Sequence, residues 1–581
     1  MDQKREKIIG EIAALTQMFG RKPRILHIGN IANNAYNNAK LLNKLGFEND
    51  VICYDYYHIM GCPEWEDAEF ENTLDDDFHP DWTKVDVNGF KRPDWFAQGP
   101  LDLCVAYLIA RRTGRKRLAR VLWKELAICN KTERARRGFP LDLTYLNPNF
   151  WLVFVNHKLI KLWRYFAYEL SRKCRAALNS KSHEHRAMGR FLASAKRLVR
   201  KTQLHILEFI LFTVWVLRLV ASKIRNAFHG KTTTRDAMAI GSDEHAKHIC
   251  KEFTNAFPER DSKLEPHELK PYFSTIPYWV NLFSHYDLVI GYATDPILPY
   301  LVGKPYFALE HGTLREIPFE ENTRGKLTAL AYNRANHVFV TNFDCLANAE
   351  ILAGDKHRFI NHPYDEDRNL NRNAEDLRQE LQKELDAEFL VFFPTRQDWV
   401  VGTGYADKAN DIFLRAFCRL RNEGKRIGMI ACDWGKNVEE SKTLLREYGC
   451  GDYVKWIAPM ALRKFEKVCS STDLVADQFM LGAFGGVMFK SLAAGVPVCT
   501  YLNEAMLEGL YEEMPPALNC KTEDEIHTCL ATLMDSNEEL EKIRKASRDW
   551  VEVHHSGNDL AEMQAQLFLS TLRESFVGFE K

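Results

Sequence analysis

Two sets of short apolar segments, separated by helical patterns, constrain the fold of this 581-residue chain more than any other feature. The first set begins with RILHIG at 24–29 and DVICYDYY at 50–57, with a helical stretch between them. A strand, a turn, a helix and a second strand are the start of a parallel α/β sheet. The pattern resumes with DLVIGYAT at 287–294, KPYFALEHG at 304–312 and NHVFVTNF at 336–343.

A second set of apolar segments begins after HPYDED at 362–367. Ligands of doubly wound sheets bind beyond the carboxyl ends of the strands, so two such domains predict a cleft that holds the functional site. The segments of this set are FLVFFPTR at 389–396, RIGMIACDWG at 426–435, DYVKWIAP at 452–459, TDLVADQF at 472–479 and VPVCTYL at 496–502.

The two patterns predict an α/β protein with two doubly wound, Rossmann-like domains that face a cleft, and a basic helical insert in the first. The predicted divisions are a helical extension at 1–22, an N-terminal domain at 23–365, an insert at 100–265 within it, a C-terminal domain at 366–557 and a terminal helix at 558–581.

The formal net charge of -1 conceals a strong segregation of charge along the chain. Residues 111–225 contain 27 Lys+Arg and 6 Asp+Glu, a net of +21, so the remainder carries -22. The insert contains amphipathic helical patterns in which basic and aromatic residues alternate, and its most apolar stretch, at 209–217, is too short to span a bilayer.

Three interpretations of the basic insert remain open: packing on the acidic surface of the protein itself, docking on an anionic membrane, and nucleic-acid binding. The membrane is favoured because basic and aromatic residues flank an apolar stretch, whereas no nucleic-acid motif accompanies the charge. The N-terminus lacks a signal peptide and the 14 cysteines form no CxxC pair, which predicts a cytoplasmic protein on the inner face of the membrane. The predicted membrane contacts are Lys158, Lys161, Trp163, Arg164, Arg197, Lys201 and Trp215.

Two features of the second half suggest an anion site. The segment GAFGGVMFKSLAAGVPV, within 477–498, places glycines at the start of a helix, where backbone N–H groups can bind phosphate. Arg396 ends a predicted strand, and Lys408 stands near the start of the next helix. Both cations suit a diphosphate. Close strand–helix packing would need the same glycines, and the cations could also be solvated surface residues.

Together these segments resemble the retaining GT-B glycosyltransferases, of the glycosyltransferase group 1 or family 4 type, which use nucleotide sugars. The resemblance covers about 23–95, 270–365 and 385–575. It implies catalytic roles for His311, in YFALEHGTLR, and for Arg396 and Lys408. It implies donor binding by Gly29, Asn30 and Asn33 of the loop GNIANNAY, and by Asp477, Gly482, Phe484, Gly485 and Lys490. Glu310, beside His311, is either a surface residue or a contact to the acceptor.

The sequence departs from the family at two positions. Gly482 and Lys490 stand where the family has glutamates, of which the second commonly binds the ribose hydroxyls of the nucleotide and the first contacts the donor sugar. Lysine accepts no hydrogen bond, so Lys490 cannot replace that glutamate. Asp477 is a carboxylate that could serve in place of one of them.

The resemblance implies a hexosyltransferase-like enzyme that retains anomeric configuration and needs neither a metal nor a cofactor. The basic insert suggests an acceptor that is lipid-linked or a cell-envelope glycan. A non-catalytic GT-B-like protein that binds membrane or glycan is the alternative, motivated by Gly482 and Lys490. A sugar epimerase that acts on UDP-N-acetylglucosamine is a further rival, and nucleic acid is not an expected partner.

Overall fold

The computed structural model describes residues 2–54, 56–70, 74–76, 78–130, 240–362, 364–365, 374–400, 407–483 and 485–577. The predicted membrane contacts between Lys158 and Trp215 lie outside these residues, as does Phe484. Of the helices that the structure describes, none is long and apolar enough to cross a membrane.

The first domain contains a parallel sheet of seven described strands in the order β3-β2-β1-β4-β5-β6-β7. Every neighbouring pair is parallel, with Ile25 opposite Asn49 on one side of β1 and opposite Leu288 on the other. The strands are β1 Arg24–Ile28, β2 Glu48–Tyr54, β3 Phe96–Gly99, β4 Leu288–Tyr292, β5 Tyr306–Leu309, β6 His337–Val340 and β7 His357–Phe359.

Helices cover both faces of this sheet, so its central strands are buried apolar segments. Gly46 ends the helix after β1 in a left-handed conformation, with a φ of 113° that favours glycine. The helices of this domain are Asn34–Leu45, Pro63–Asp67, Leu101–Arg112, Lys116–Cys129, Asp243–Ala256, Lys270–Phe273, Ile276–Phe283, Ile297–Val302, Thr323–Arg334 and Leu346–Ala353.

The second domain repeats the plan with six described strands in the order β10-β9-β8-β11-β12-β13, all parallel. Its strands are β8 Phe389–Phe393, β9 Ile427–Cys432, β10 Val454–Ile457, β11 Leu474–Ala476, β12 Val498–Thr500 and β13 Leu518–Asn519. Its helices are Glu375–Glu384, Asn410–Asn422, Val438–Glu447, Leu462–Ser470, Gly486–Ala493, Glu504–Leu507, Glu523–Met534 and Asn537–His554.

The predicted fold class is confirmed by this topology, because both parallel sheets are doubly wound. In each sheet the order reverses beside the first strand, between β1 and β4 and between β8 and β11. The sequence patterns did not indicate β3, β7 and β13, which are four, three and two residues long and carry few apolar side chains.

The helices at the two ends of the described chain both pack on the first domain. Helix Gly557–Val577 buries Phe568 against Phe307 of β5 and Phe47, with ring centroids 4.9 and 6.3 Å apart. Helix Asp2–Phe19 contributes Ile8, Ile12 and Leu15 to the same apolar cluster. The chain therefore returns from the second domain to the first before it ends.

The two connections between the domains cross in direct contact. Gly557 lies so close to Tyr364 that a Cβ at position 557 would stand 1.8 Å from the Tyr364 carbonyl oxygen. Beside this crossing, the Asp365 carboxylate forms ion pairs with the ammonium groups of Lys40 and Lys44 at 2.9 and 2.6 Å. These pairs tie the start of the second domain to the helix that follows β1.

The described ends of the predicted insert belong to the core of the first domain. Leu108 of helix Leu101–Arg112 and Leu122 of helix Lys116–Cys129 are fully buried in the same cluster as Ile249 of helix Asp243–Ala256. Residues 131–239, which hold most of the basic block, lie outside the described chain.

Candidate functional site

The candidate site lies where strands from both domains end. His311 follows β5 of the first sheet, whereas Arg396 follows β8 and Asp477 follows β11 of the second. The pair β8 and β11 flanks the reversal of strand order, where doubly wound sheets leave a crevice for ligands. The fold therefore gathers residues that stand far apart in the sequence.

Arg396 and Lys408 lie together around the end of β8, as the sequence predicts. Lys408 donates a hydrogen bond from Nζ to Gln478 Oε1, and its backbone N–H donates to the Asp398 carbonyl at 2.7 Å. The Arg396 guanidinium pairs with the Asp398 carboxylate at 2.7 Å. The loop that carries Lys408 is thereby held beside Arg396.

The charge environment of Lys408 reveals a third cation from the other domain. Burial lowers the pKa of Lys408, the Asp477 carboxylate opposes this shift, and the charges of Arg396 and Arg315 add to it. Arg315 belongs to the loop after β5 in the first domain. Lys408 therefore lies within range of two arginine charges, one from each domain, and an anion bound beside Lys408 would offset this repulsion.

Arg315 was not singled out in the sequence, although it follows His311 by four residues. Its Nε and Nη2 donate to the two oxygens of Asp344 at 2.5 and 2.9 Å, a bidentate pair that fixes the guanidinium plane. Gly312 has a φ of 77°, and a Cβ there would stand 2.2 Å from Arg315 Nη1. Glycine at 312 therefore permits the arginine to lie against the loop.

Asp477 is a buried carboxyl beside Lys408, with 4% of the residue exposed. Thr395 Oγ1 donates to its Oδ1 at 2.9 Å, whereas its Oδ2 has no hydrogen-bond partner among the described residues. Burial raises the pKa of Asp477, and the neighbouring Lys408 opposes that shift. The carboxyl thus offers an unused acceptor to a ligand hydroxyl.

His311 is held in one tautomer by its neighbours. The Asn34 amide donates from Nδ2 to His311 Nδ1 at 3.2 Å, so the ring proton resides on Nε2. The imidazole stacks on Tyr292, with centroids 5.7 Å apart. Burial and the charge of His362 lower its pKa to about 3. His311 is therefore neutral near pH 7, with an N–H that has no acceptor among the described residues.

Lys490 lies near the histidines of the first domain and of the connection. Burial and then the charge of Lys490 lower the pKa of His362 to about 4, and His362 in turn lowers that of His311. The His362 ring stacks on Phe489 at 5.6 Å. Lys490 thus places a cation beside the neutral imidazole of His362.

Gly482 and Gly485 have different structural roles. Gly482 has a φ of 73°, and a Cβ would stand 2.8 Å from Asn503 Cβ and 2.9 Å from Tyr501 Cε1. A glutamate therefore has no room at position 482. Gly485 precedes helix Gly486–Ala493 in open space, which leaves the first N–H groups of that helix accessible.

The predicted donor loop after β1 is held by its own asparagines. Asn30 Nδ2 donates to the Gly61 carbonyl and to Asn33 Oδ1, each at 2.9 Å, and Asn33 Nδ2 donates to the Cys62 carbonyl at 2.9 Å. Gly29 has a φ of 89°. The structure gives these amides partners within the first domain, and their contact with a donor stays a prediction.

Glu310 fits neither of its two interpretations. It is fully buried, and its carboxylate accepts hydrogen bonds from the backbone N–H groups of Gly312, Thr341 and Asn342 at 2.5, 2.9 and 2.7 Å. These bonds join the loop after β5 to the loop after β6. Glu310 is thus the internal support of the loop that carries His311 and Arg315.

Asp295 is a second residue that sequence reasoning missed. It follows β4, accepts a hydrogen bond from the Tyr54 hydroxyl at 2.6 Å, and stands 2.6 Å from where a Cβ of Gly29 would be. Burial raises its pKa to about 7, a value suited to proton transfer near neutral pH. A carboxylate just beyond a predicted strand end was the available sequence signal.

The sequence matches no family model and no curated protein. Among solved structures, Anabaena HepE in complex with UDP and glucose is similar over 52% of this chain and 83% of its own, with 17% identity and a TM-score of 0.43. Sucrose-phosphate synthase from Thermosynechococcus elongatus is similar over 52% and 79%, with 14% identity and a TM-score of 0.39. The catalytic domain of starch synthase IV from Arabidopsis thaliana is similar over 53% and 78%, with 12% identity and a TM-score of 0.38.

Proposed function

We propose that the protein is a glycosyltransferase that moves a sugar from a nucleotide-sugar donor to an acceptor held by the first domain. The observation that carries this proposal is the loop after β8, where Asp398 holds Lys408 beside Arg396 near the buried Asp477. Arg315 of the first domain adds a third positive charge that acts on Lys408. Guanidinium and ammonium groups arranged before the reaction stabilise the charge that grows on a departing diphosphate. The open N-terminus at Gly485 adds backbone N–H groups for the same charge.

His311 completes the site from the opposite domain. Its neutral ring directs an Nε2 proton that lacks a protein acceptor, and we assign this donor to a hydroxyl of the sugar being transferred. Closing the two domains around donor and acceptor would exclude water and limit hydrolysis. The three cations supply the charge that a metal ion would otherwise provide, and retention of anomeric configuration belongs to the same proposal.

Nucleotide binding tests the proposal. UDP, GDP, CMP, TDP and UDP-glucose are compared by thermal shift, because a ligand that binds only the folded state raises the Tm. One nucleoside diphosphate is expected to stabilise the protein, and Arg396→Ala to abolish that shift. The matched control is Arg426→Ala. Arg426 is exposed and directly precedes β9, so it lies at the amino ends of the strands, whereas Arg396 lies at their carboxyl ends. Equal shifts in the two variants would refute the assignment of Arg396.

A non-catalytic carbohydrate- or membrane-binding protein is the second candidate. Lys490 favours it, because a cation next to His362 cannot accept the hydrogen bonds of ribose hydroxyls. Release of free nucleotide from the stabilising donor distinguishes the two functions. Turnover that Arg396→Ala removes supports the enzyme, whereas binding without turnover in the presence of lipid and glycan acceptors supports the second candidate.

We propose further that the acceptor is lipid-linked or a cell-envelope glycan and that the protein works at the cytoplasmic face of the membrane. The net charge of +21 over residues 111–225 supports this. Replacing Lys158, Lys161, Arg197 and Lys201 with Gln should release the protein from phosphatidylglycerol vesicles, with neutral vesicles as the control. Unchanged sedimentation with anionic vesicles would refute membrane docking.

A further inference from the structure

A cavity of about 180 Å³ lies in the first domain at the edge of the sheet, between the loop that follows β2 and helix Lys116–Cys129. We call it the β3-edge cavity, because residues of β3 form part of its wall. Ligand pockets for drug-sized molecules hold about 300–1,000 Å³, so this space suits a single small ring. Four aromatic side chains line it: Tyr57, Trp82, Phe96 and Trp123.

A buried ion pair forms the polar part of this cavity. Arg92 donates from Nε and Nη2 to the two oxygens of Glu64 at 2.9 and 2.7 Å, and from Nη1 to Gln98 Oε1 at 2.9 Å. A guanidinium carries five N–H groups, so two remain without an acceptor among the described residues. A carboxylate also accepts more bonds than Glu64 receives here. The cavity therefore offers fixed donors and acceptors beside its aromatic walls.

The mouth of the cavity is open to solvent. Thr83 on the loop side and Ala127 on the helix side are exposed, whereas Phe96 is fully buried. The Asn130 amide donates to the Gln98 carbonyl at 2.9 Å, which fixes the end of the helix against β3. A small ligand can thus enter between two walls that are held in place.

The β3-edge cavity shares a wall with the loop that supports the candidate site. The Gln98 amide donates to the Gly61 carbonyl at 3.5 Å, and the same carbonyl accepts a bond from Asn30 at 2.9 Å. The asparagine next to Asn33, at position 34, in turn holds the His311 ring at 3.2 Å. Hydrogen-bonded groups thus connect the wall of the cavity to the loop after β1 and to the residue that holds His311.

We propose that the β3-edge cavity binds one pyranose ring of the acceptor. The C–H faces of a pyranose pack on aromatic rings, while its hydroxyls both donate and accept hydrogen bonds. An apolar chain would use the aromatic walls but would leave the two remaining Arg92 N–H groups and the further acceptor capacity of Glu64 without partners, which is costly for buried polar groups. The inference rests on the proposed function, which it extends to the chemistry of the acceptor.

Saturation-transfer NMR with a panel of methyl hexopyranosides, and with hexanol as an apolar probe, tests the inference on the full chain. Ala127→Trp fills the mouth of the cavity from an exposed position. Its matched control is Arg120→Trp, which adds the same indole to the same helix two turns away, outside the cavity. Trp123→Ala removes one wall, and Trp123→Phe keeps a ring there.

At least one glycoside should receive saturation from the wild-type protein and from Arg120→Trp, but not from Ala127→Trp. Trp123→Ala should weaken binding by about tenfold, and Trp123→Phe much less. The inference would be overturned if no glycoside binds, or if glycosides bind equally to Ala127→Trp and Arg120→Trp. Saturation transfer to hexanol without transfer to any glycoside would overturn it as well. The nucleoside diphosphate that stabilises the wild-type protein should also raise the Tm of Ala127→Trp, whereas the absence of such a shift for every nucleotide in the wild-type protein would overturn the proposed function instead.

Discussion

Replacing Asp295 with Asn should change the pH dependence of stability. Asp295 accepts a 2.6 Å hydrogen bond from Tyr54, and burial raises its pKa to about 7. An aspartate in an unfolded chain has a pKa of about 3.9. Between these two values the folded protein binds more protons than the unfolded chain, so stability falls as the pH rises. The contribution is fully present below about pH 4 and lost above about pH 7.

The magnitude follows from the separation of the two pKa values. The difference between a pKa of about 7 and one of about 3.9 corresponds to roughly 4 kcal/mol as an upper limit, and water that reaches the half-buried Asp295 carboxylate reduces this to about 2 kcal/mol. Asparagine has the same shape and carries no charge. Relative to the wild-type protein, Asp295→Asn should therefore gain stability between pH 4 and 7 and keep that gain above pH 7.

Thermal unfolding of both proteins from pH 4 to 9 measures this gain. About 2 kcal/mol corresponds to a Tm difference of roughly 4–8 °C for a domain of this size. Asp261→Asn, at an exposed aspartate, is the control and should show a difference that does not vary with pH. Tyr54→Phe removes the bond that lowers the Asp295 pKa, so its loss of stability should extend to higher pH. A flat Asp295→Asn difference would refute the argument.

Four other substitutions test separate parts of the site. Arg315→Ala should weaken nucleoside diphosphate binding by about tenfold in calorimetry, because one of three converging cations is removed. Gly482→Ala should lower the Tm by at least the equivalent of about 1 kcal/mol, since the backbone is left-handed and the Cβ position is occupied. Glu310→Gln should lower the urea midpoint by the equivalent of about 1–3 kcal/mol, because an amide donor would face buried N–H groups. Lys490→Gln should raise the pKa of His362 above about 4 in an NMR titration. For each variant, an unchanged value of the quantity named for it would contradict the contact from which its effect is expected.

The sequence patterns predicted the strands that are mostly apolar and that lie buried in the middle of a sheet. β1, β4 and β8 are such strands, and β1 and β8 are followed by Gly29 and Arg396, which the sequence assigned to the site. The sequence does not predict β7 and β13, because their sequences, HRF and LN, carry almost no apolar pattern. They pair at the sheet edges, where hydrogen bonding to a neighbouring strand rather than burial defines the element.

The sequence also indicated some of the site residues and not others. Arg396 and Lys408 could be predicted, because each stands at an element boundary next to a strand end or a helix start. Arg315 could not, since its relevance depends on the second domain lying opposite its loop. The sequence allows Glu310 to be either a surface residue or a contact to the acceptor, and only the fold shows that three backbone N–H groups donate to its carboxylate.

By itself, the sequence determined the number and kind of layers, because the alternation of apolar strands and amphipathic helices is a local property of the chain. It also determined the segregation of charge, which is a matter of counting. The tertiary structure alone decided that the last helix packs on the first domain and that Lys408 of the second domain lies within range of the Arg315 charge of the first. It also showed that Asp295 is desolvated beside Tyr54, and that this burial raises its pKa. Such features arise from contacts between residues hundreds of positions apart, and no local pattern encodes the desolvation or the charge proximity that those contacts create.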